Sequence, residues 1–386
     1  MSSRTLAVVV AGAVLFGSLT IRAAAPGDDP GATWDKAAAA RYLDARMDVW
    51  WTKAKPLKNP AGETKCLSCH TAIPYALARP ALRKAMGVTA ATAHETTIFE
   101  TVRTRMAHTD DEQPFYDHTE DKKIESRGVE AVMNAFLLTS RDLDSGATAP
   151  DALTQQALTR LWTVQREDGA WDWLDFGLEP YETADALFHG ATVAALAAGS
   201  PAGRQASADA AGVAGVQKLR AYLSANVATQ RLFNRTWALL ASARLSGVLT
   251  TSQRETLVRD LAATQRADGG WSLADLGEWR WSKSAGPFAA PGPVDAALIG
   301  GSDAYATGLV VFAMKQAGLG SRPAVQKGLT WLRANQQPGR ADDQAWAPWR
   351  AHSLNFDREH GGDKGEPWRR MFMSDMATAF AVLALL

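Results

Sequence analysis

The stretch Lys65-Cys66-Leu67-Ser68-Cys69-His70-Thr71 holds the only two cysteines of a 386-residue chain, and a histidine directly follows the second. C-x-x-C-H is the pattern of covalent haem attachment. Each thiol can add to one haem vinyl group as a thioether, and the adjacent imidazole can reach the iron from one side. If the segment turns helical, Cys66, Cys69 and His70 fall at i, i+3 and i+4 and share one face. Three other chemistries compete: a Cys66–Cys69 disulfide, a redox C-x-x-C pair, and half of a zinc site. A zinc site needs further ligands, and the chain has no second C-x-x-C and no H-x-x-x-H pair. A redox pair is expected beside a βαβ pattern, which the sequence does not show. Because the motif uses every cysteine, the reading it favours is one covalent haem c, with His70 as the proximal iron ligand.

The N-terminus bears on that reading. Arg4 precedes an apolar run from Leu6 to Leu19, which leads to Ala23-Ala24-Ala25. This is the make-up of a secretory signal peptide, assigned to residues 1–25. The run falls short of the ~20 residues that span a bilayer. A flexible leader is expected over 26–33, around Pro26-Gly27-Asp28-Asp29-Pro30-Gly31. Compartments outside the cytosol are oxidising. The resemblance of the motif to cytochromes c implies that haem is joined to the protein there in bacteria, so a bacterial periplasm is the expected location. Lys plus Arg and Asp plus Glu both number 41. That balance gives no reason to expect a nucleic-acid partner, or a membrane partner once the signal is cleaved. A redox partner protein or a small-molecule substrate remains.

From Trp34 onward the chain reads as all-α, with no convincing strand pattern. Amphipathic segments near 34–52, 92–108, 152–165, 211–226, 251–265 and 322–336 alternate with more apolar ones. The apolar set lies near 69–86, 124–139, 182–198, 233–245, 303–317 and 374–386. Within it, Glu182-Thr183-Ala184-Asp185-Ala186, Ser302-Asp303-Ala304-Tyr305-Ala306-Thr307 and Ser374-Asp375-Met376-Ala377-Thr378 each lead into an apolar helix. Such a recurrence marks a repeat protein, whose units must stack to bury their apolar faces. The turns recur as well. Gln165-Arg166-Glu167-Asp168-Gly169-Ala170-Trp171 matches Gln265-Arg266-Ala267-Asp268-Gly269-Gly270-Trp271. A weaker copy runs from Lys327 through Trp331 to Asn335-Gln336-Gln337, with Trp346 as its later tryptophan. Glycine can stop each helix in left-handed geometry, the glutamine can bond loose backbone groups there, and the tryptophan can stack over the turn.

These copies resemble the Q-W motifs of the squalene–hopene cyclase and protein prenyltransferase β-subunit superfamily. The resemblance implies an α/α toroid of about six helical hairpins, with inner helices ringing a cavity and outer helices around them. The toroid would span 34–386 with the haem motif at 66–70 grafted into it. A cytochrome c-like domain at 34–146 followed by a partial toroid at 151–386 is the alternative. The relatives' chemistry does not carry over. The chain has no Asp-x-Asp-Asp acid, Asp303 has no cysteine near it for a zinc site, and Gly-Cys-Gly-Glu is absent. Cyclase or prenyltransferase activity is not expected, since fold does not carry function.

In a toroid all inner helices start at one mouth. That register gathers Cys66, Cys69 and His70 with Glu125, Arg127, Glu130, Glu182, Asp185, Arg231, Arg235, Asp303 and Asp375. The last inner helix closes on the first. Met373, with Met371 and Met376 beside it, is then a candidate sixth iron ligand, and Arg369 and Arg370 could pair with the haem propionates. His118 is the alternative sixth ligand, followed by His360, with His352 also on the mouth side. His94 and His108 look remote, and His189 could point into the cavity with Trp237 and Tyr305. Helix capping accounts for most of the acidic residues, Asp303 and Asp375 among them. Three functions stay open: electron transfer by an exported monohaem c protein, a haem-dependent oxidoreductase, or a haem-free binding protein, hydrolase or lyase with a Cys66–Cys69 disulfide.

Overall fold

In the computed structural model, which describes residues 33–59, 62–67, 69–107, 119–281, 292–293, 300–338, 346–355 and 367–386, two sets of helices alternate along the chain. The outer set is α1 (Lys36–Lys53), α3 (Ala93–Met106), α5 (Ala152–Thr163), α8 (Ala210–Asn226), α10 (Thr251–Ala263) and α12 (Pro323–Ala334). The inner set is α2 (Ala72–Ala85), α4 (Glu120–Ser145), α6 (Ala186–Ala198), α9 (Leu232–Ser242), α11 (Ala304–Gln316) and α13 (Phe372–Leu385). A short α7 (Pro201–Ala206) follows α6.

The outer helices begin where the sequence supplies a cap. Asp35, Asp151 and Asp209 each accept a hydrogen bond from the amide three residues on. Thr92 with Glu95, and Thr250 with Gln253, form reciprocal capping boxes. Helix α12 starts instead on Pro323, whose missing N–H costs nothing in the first turn. Each polar cap is worth about 1 kcal/mol. Helix α4 runs past its expected bounds at both ends, from the Thr119 cap to Gly146 in left-handed geometry. Its first turn, Glu120-Asp121-Lys122-Lys123, is charged, so apolar periodicity could not reveal it.

The inner helices pack in cyclic order: α2 on α4, α4 on α6, α6 on α9, α9 on α11, α11 on α13, and α13 back on α2. The fold class read from the sequence, an all-α toroid of six hairpins, is the fold observed. Close approach requires small residues. A Cβ on Gly308 of α11 would sit 2.7 Å from the Phe380 carbonyl carbon of α13, and only glycine leaves that crossing undistorted.

The repeated turns are built alike. Gln165 Nε2 donates to the carbonyls of Gly169 and Gly215, at 3.0 and 3.1 Å. Gln265 Nε2 donates to those of Gly269 and Ala324, both at 2.8 Å. Each glutamine therefore holds its own turn and pins the next outer helix. Gly169 and Gly269 take φ of 95° and 91°, which a side chain would strain. Trp171 Nε1 donates to Leu161 O at 2.9 Å, and Trp271 Nε1 to Leu261 O at 2.7 Å. In the third copy the matching donor is Trp349, bonded to Leu332 O at 2.8 Å and fully buried. This corrects the assignment of Trp346, which is only partly buried and packs edge-on to Tyr42. The third glutamine closes the outer ring. Gln336 accepts from Asp35 N at 2.7 Å and donates to Asp35 O at 2.9 Å, joining the end of α12 to the start of α1.

The sequence reading of no strands is corrected at two places. Strands β1 (Pro56–Asn59) and β2 (Gly62–Lys65) form an antiparallel hairpin, and Arg280–Trp281 pairs with Gly292–Pro293. Four-residue strands of mixed polar composition show no alternation. The Asn59-Pro60 dipeptide ahead of Gly62 was the available turn signal.

Candidate functional site

The hairpin delivers the cysteine motif. Cys66 follows β2 directly, Cys69 to Thr71 form a turn, and α2 begins at Ala72. The motif therefore precedes the helix instead of lying on one of its faces, which corrects the spacing argument. Its backbone is clamped from both sides. Trp50 Nε1 of α1 donates to Cys66 O at 2.8 Å, and Arg105 of α3 donates to Lys65 O at 3.1 Å. Lys65 Nζ in turn reaches Ala54 O at 2.9 Å.

Both cysteines are free thiols. Cys66 offers accessible surface yet lies in a recess crowded by chain atoms. Burial there pushes its thiol up to about 11, with Arg105 opposing and Glu182 and Glu130 adding to the rise. Burial raises the Cys69 thiol as well, and Glu182 adds to it. Both sulfurs are thus held as neutral thiols at neutral pH. A redox C-x-x-C pair needs the opposite, a depressed thiol.

His70 stands in an aromatic box. The Phe372 ring stacks on its imidazole, with centroids 3.6 Å apart and planes 16° from parallel. Trp50 meets it edge-on at 5.7 Å. Trp368 packs against both Trp50 and Phe372. Behind the imidazole, His70 Nδ1 lies 3.3 Å from Thr71 Oγ1, and that hydroxyl donates to Asp375 Oδ2 at 2.7 Å. Asp375 also accepts from Tyr42 OH at 2.7 Å, Arg46 Nε at 2.7 Å and Arg46 Nη2 at 3.1 Å. One buried carboxylate therefore ties α1, the start of α2 and α13 together. Burial raises its pKa, and the Arg46 guanidinium is the strongest opposing influence. The capping role expected of Asp375 is corrected: Met371 occupies the cap position of α13, and Asp375 lies inside the first turn.

The other predicted residues scatter. Arg369 and Arg370 sit in the short 3-10 turn Pro367–Met371 ahead of α13; Arg369 lies 5.4 Å from the Trp368 ring centroid and Arg370 is exposed. Met371, Met373 and Met376 are all buried in the core. His118, His360 and His108 lie outside the described residues, as do the signal segment and the leader as far as residue 32. His352 is exposed, and His94 Nε2 faces Asp48 at 3.2 Å.

Several mouth residues are engaged in pairs. Glu130 pairs with Arg105, Glu125 with Lys122, Asp185 with Arg231, and Arg235 with Asp260. Asp303 does cap its helix, accepting from Ala306 N at 2.8 Å and from Leu273 N at 2.6 Å; burial pushes its carboxyl up to about 6. His189, Trp237 and Tyr305 are buried among aromatic rings. The Tyr181 and Tyr305 hydroxyls bond to each other. His189 Nδ1 has no partner among the described residues, and burial lowers the imidazole to about 3.

The residues that complete the His70 environment were not assigned from sequence. Tyr42, Arg46, Trp50 and Trp368 come from distant segments, and no local spacing marks them. Phe372 lies between the candidate ligands Met371 and Met373 but was given no part. Thr71 directly follows the motif, so its proximity alone could have flagged it.

The chain matches no protein-family model, and no curated protein matches it in sequence. Among solved structures it is similar to an unsaturated glucuronyl hydrolase specific for heparin, at 10% identity and a TM-score of 0.52, over 91% of this chain and 95% of that one. The unsaturated glucuronyl hydrolase of Bacillus sp. GL1 aligns over the same shares at 13% identity and a TM-score of 0.49. At such identity the likeness is one of fold: the ring of this chain is an α/α toroid.

Proposed function

We propose that this chain is an exported monohaem c-type protein, with Cys66 and Cys69 as the thioether-forming residues and His70 as the proximal iron ligand. The observation that carries the reading is the environment of the motif: two free thiols precede an imidazole packed on Phe372 and backed by Thr71 and Asp375. The donor set suits a haem better than a metal ion alone, since among the described residues no three His, Cys, Asp or Glu side chains converge. Polar atoms without partners also fit such a group. Trp368 Nε1 in the wall around His70 and Thr64 Oγ1 two residues before Cys66 are buried and unpaired among the described residues. They are natural donors to propionate oxygens, with Arg369 and Arg370 nearby in sequence. Bound there, the haem would supply one-electron exchange at its iron, or oxidoreductase chemistry if the sixth position opens. Met373 is the candidate for that position and His118 the alternative. The periplasm is the proposed location, and a redox protein or small molecule the proposed partner.

A second reading, a haem-free hydrolase or binding protein, draws on the fold shared with a heparin-specific glucuronyl hydrolase. Asp303, with its carboxyl raised to about 6, is the acid such a reading would use. Against it, both Asp303 oxygens already accept backbone amides.

A pyridine haemochrome spectrum of the exported protein, made in cells with haem c maturation machinery, separates the two. A covalent haem signal that Cys66→Ala and Cys69→Ala each diminish supports the first reading. No covalent haem despite working maturation sinks it, and hydrolysis of unsaturated glucuronyl disaccharides would then be the assay to run.

A further inference from the structure

Six aromatic rings close a loop inside the ring of inner helices. His189 lies 5.1 Å from Tyr181 and 4.6 Å from Trp237, centroid to centroid. Trp237 meets Phe380 at 5.5 Å, Phe380 meets Tyr305 at 5.4 Å, Tyr305 meets Phe233 at 6.0 Å, and Phe233 returns to Tyr181 at 6.2 Å. Helices α6, α9, α11 and α13 each contribute, and Tyr181 comes from the loop ahead of α6. The Tyr181 and Tyr305 hydroxyls tie the loop across by bonding to each other. Two polar atoms in it are left over. His189 Nδ1 and Trp237 Nε1 have no partner among the described residues, on side chains of residues only 3% and 4% exposed. Burial raises the Tyr305 phenol and the Trp237 indole opposes the rise, so that N–H lies toward the Tyr305 oxygen without closing a hydrogen bond. An unmet buried polar atom costs about 1–3 kcal/mol, and native structures rarely leave one so. Two of them, on neighbouring rings from different helices, call for a partner from outside the chain. His189, Trp237 and Tyr181 keep 3–4% of their surface where Phe233, Tyr305 and Phe380 keep 0–1%, so a solvent-sized space adjoins the polar edges.

Those edges set the chemistry of the partner. An indole N–H only donates, while a neutral imidazole nitrogen donates or accepts according to its tautomer. A hydroxyl does both, so it satisfies the indole and either form of the imidazole. The surrounding ring faces suit an apolar body. An ion is disfavoured. The burial that keeps His189 neutral down to about 3 also penalises a charge brought in alone, and the N–H of Trp237 repels a cation that the ring faces would attract. We propose that this loop of rings is a binding site for a small neutral molecule bearing a hydroxyl, whose oxygen bonds to Trp237 Nε1 and His189 Nδ1. The site does not rest on the haem reading. It borders the cysteine motif, since the Cys69 thiol adds to the rise that burial imposes on the Tyr181 phenol. With haem attached, the same site gives the chemical class of the small-molecule partner.

The test compares phenol with toluene, its isostere without the hydroxyl, as ligands of the full exported chain, by calorimetric titration and ligand-observed NMR. Transfer from water into a purely apolar box favours toluene. A preference for phenol therefore reports hydrogen bonds made inside. Saturable phenol binding, tighter than toluene by about tenfold or more, is expected of the wild type. Trp237→Phe keeps a ring and removes the N–H, and His189→Phe does the same for the imidazole nitrogen. Each should lose most of the preference for phenol while toluene still binds, which shows that the box is intact. Three results overturn the proposal. The first is no saturable phenol binding, which leaves the polar edges to water alone. The second is toluene bound as tightly as phenol by the wild type. The third is a phenol affinity that neither variant moves, which places phenol elsewhere, the iron of a haem-loaded chain included. A chain that attaches no haem overturns the haem reading and leaves this test standing, because the comparison reads only the rings.

Discussion

Arg46 Nε lies 2.7 Å from Asp375 Oδ1, with the two side chains only 7% and 2% exposed. The pair joins the first outer helix to the last inner one, where the ring closes. Arg46→Met leaves a carboxylate buried without its counter-charge and should cost about 3–5 kcal/mol in urea unfolding. The double variant Arg46→Met, Asp375→Leu removes both charges and should recover part of that loss. A double variant no more stable than Arg46→Met alone would show that the pair contributes through the rest of its network.

Trp349, not Trp346, carries the third turn. Its indole is fully buried and donates to Leu332 O. Trp349→Ala should destabilise by about 3–5 kcal/mol, in the range of large aromatic truncations. Trp346→Ala should cost clearly less. Equal losses in thermal or urea unfolding would return the two residues to the same standing.

His189 gives the fold a sensitivity to acid. Burial holds the imidazole neutral down to about 3, while in the unfolded chain it protonates near 6.5. Its contribution is fully present above pH 6.5 and is lost as pH falls toward 3, because the unfolded state then binds a proton the folded state refuses. At about 1.4 kcal/mol per pH unit the loss reaches on the order of 5 kcal/mol. His189→Phe should flatten the fall in unfolding free energy between pH 6.5 and 4.

Asp303 works in the opposite sense. Its folded carboxyl titrates at about 6, against an ordinary value of 3.8. Between these values the folded state binds a proton that the unfolded state has released, so this group costs stability as pH rises from about 4 to 6. The full cost is roughly 3 kcal/mol. Asp303→Asn keeps a capping oxygen and should remove that slope. Unfolding curves at pH 4, 5, 6 and 7 for the two variants against the wild type separate the opposing terms.

Met373 is tested spectroscopically. If it is the sixth ligand, Met373→Ala in the haem-loaded protein should allow carbon monoxide to bind the reduced iron, where the wild type ignores it. An unchanged spectrum would pass the role to Met371, Met376 or a histidine. A wild type that binds carbon monoxide would favour oxidoreductase chemistry over electron transfer.

Much of the architecture was legible from local signals. Helix rhythm, the Asp303 cap and the paired Gln165 and Gln265 turns are short-range features, and each is written in consecutive residues. The Cys66, Cys69 and His70 cluster is likewise contiguous, so its residue types alone determined which chemistry to consider. Tertiary structure decided the rest, because it depends on where the ring closes. Phe372 stacks on His70, Arg46 meets Asp375, and Gln336 finds Asp35, each across some three hundred residues that no periodicity spans. Only the closed ring brings the last helix against the first, and with it the carboxylate that faces the histidine through Thr71.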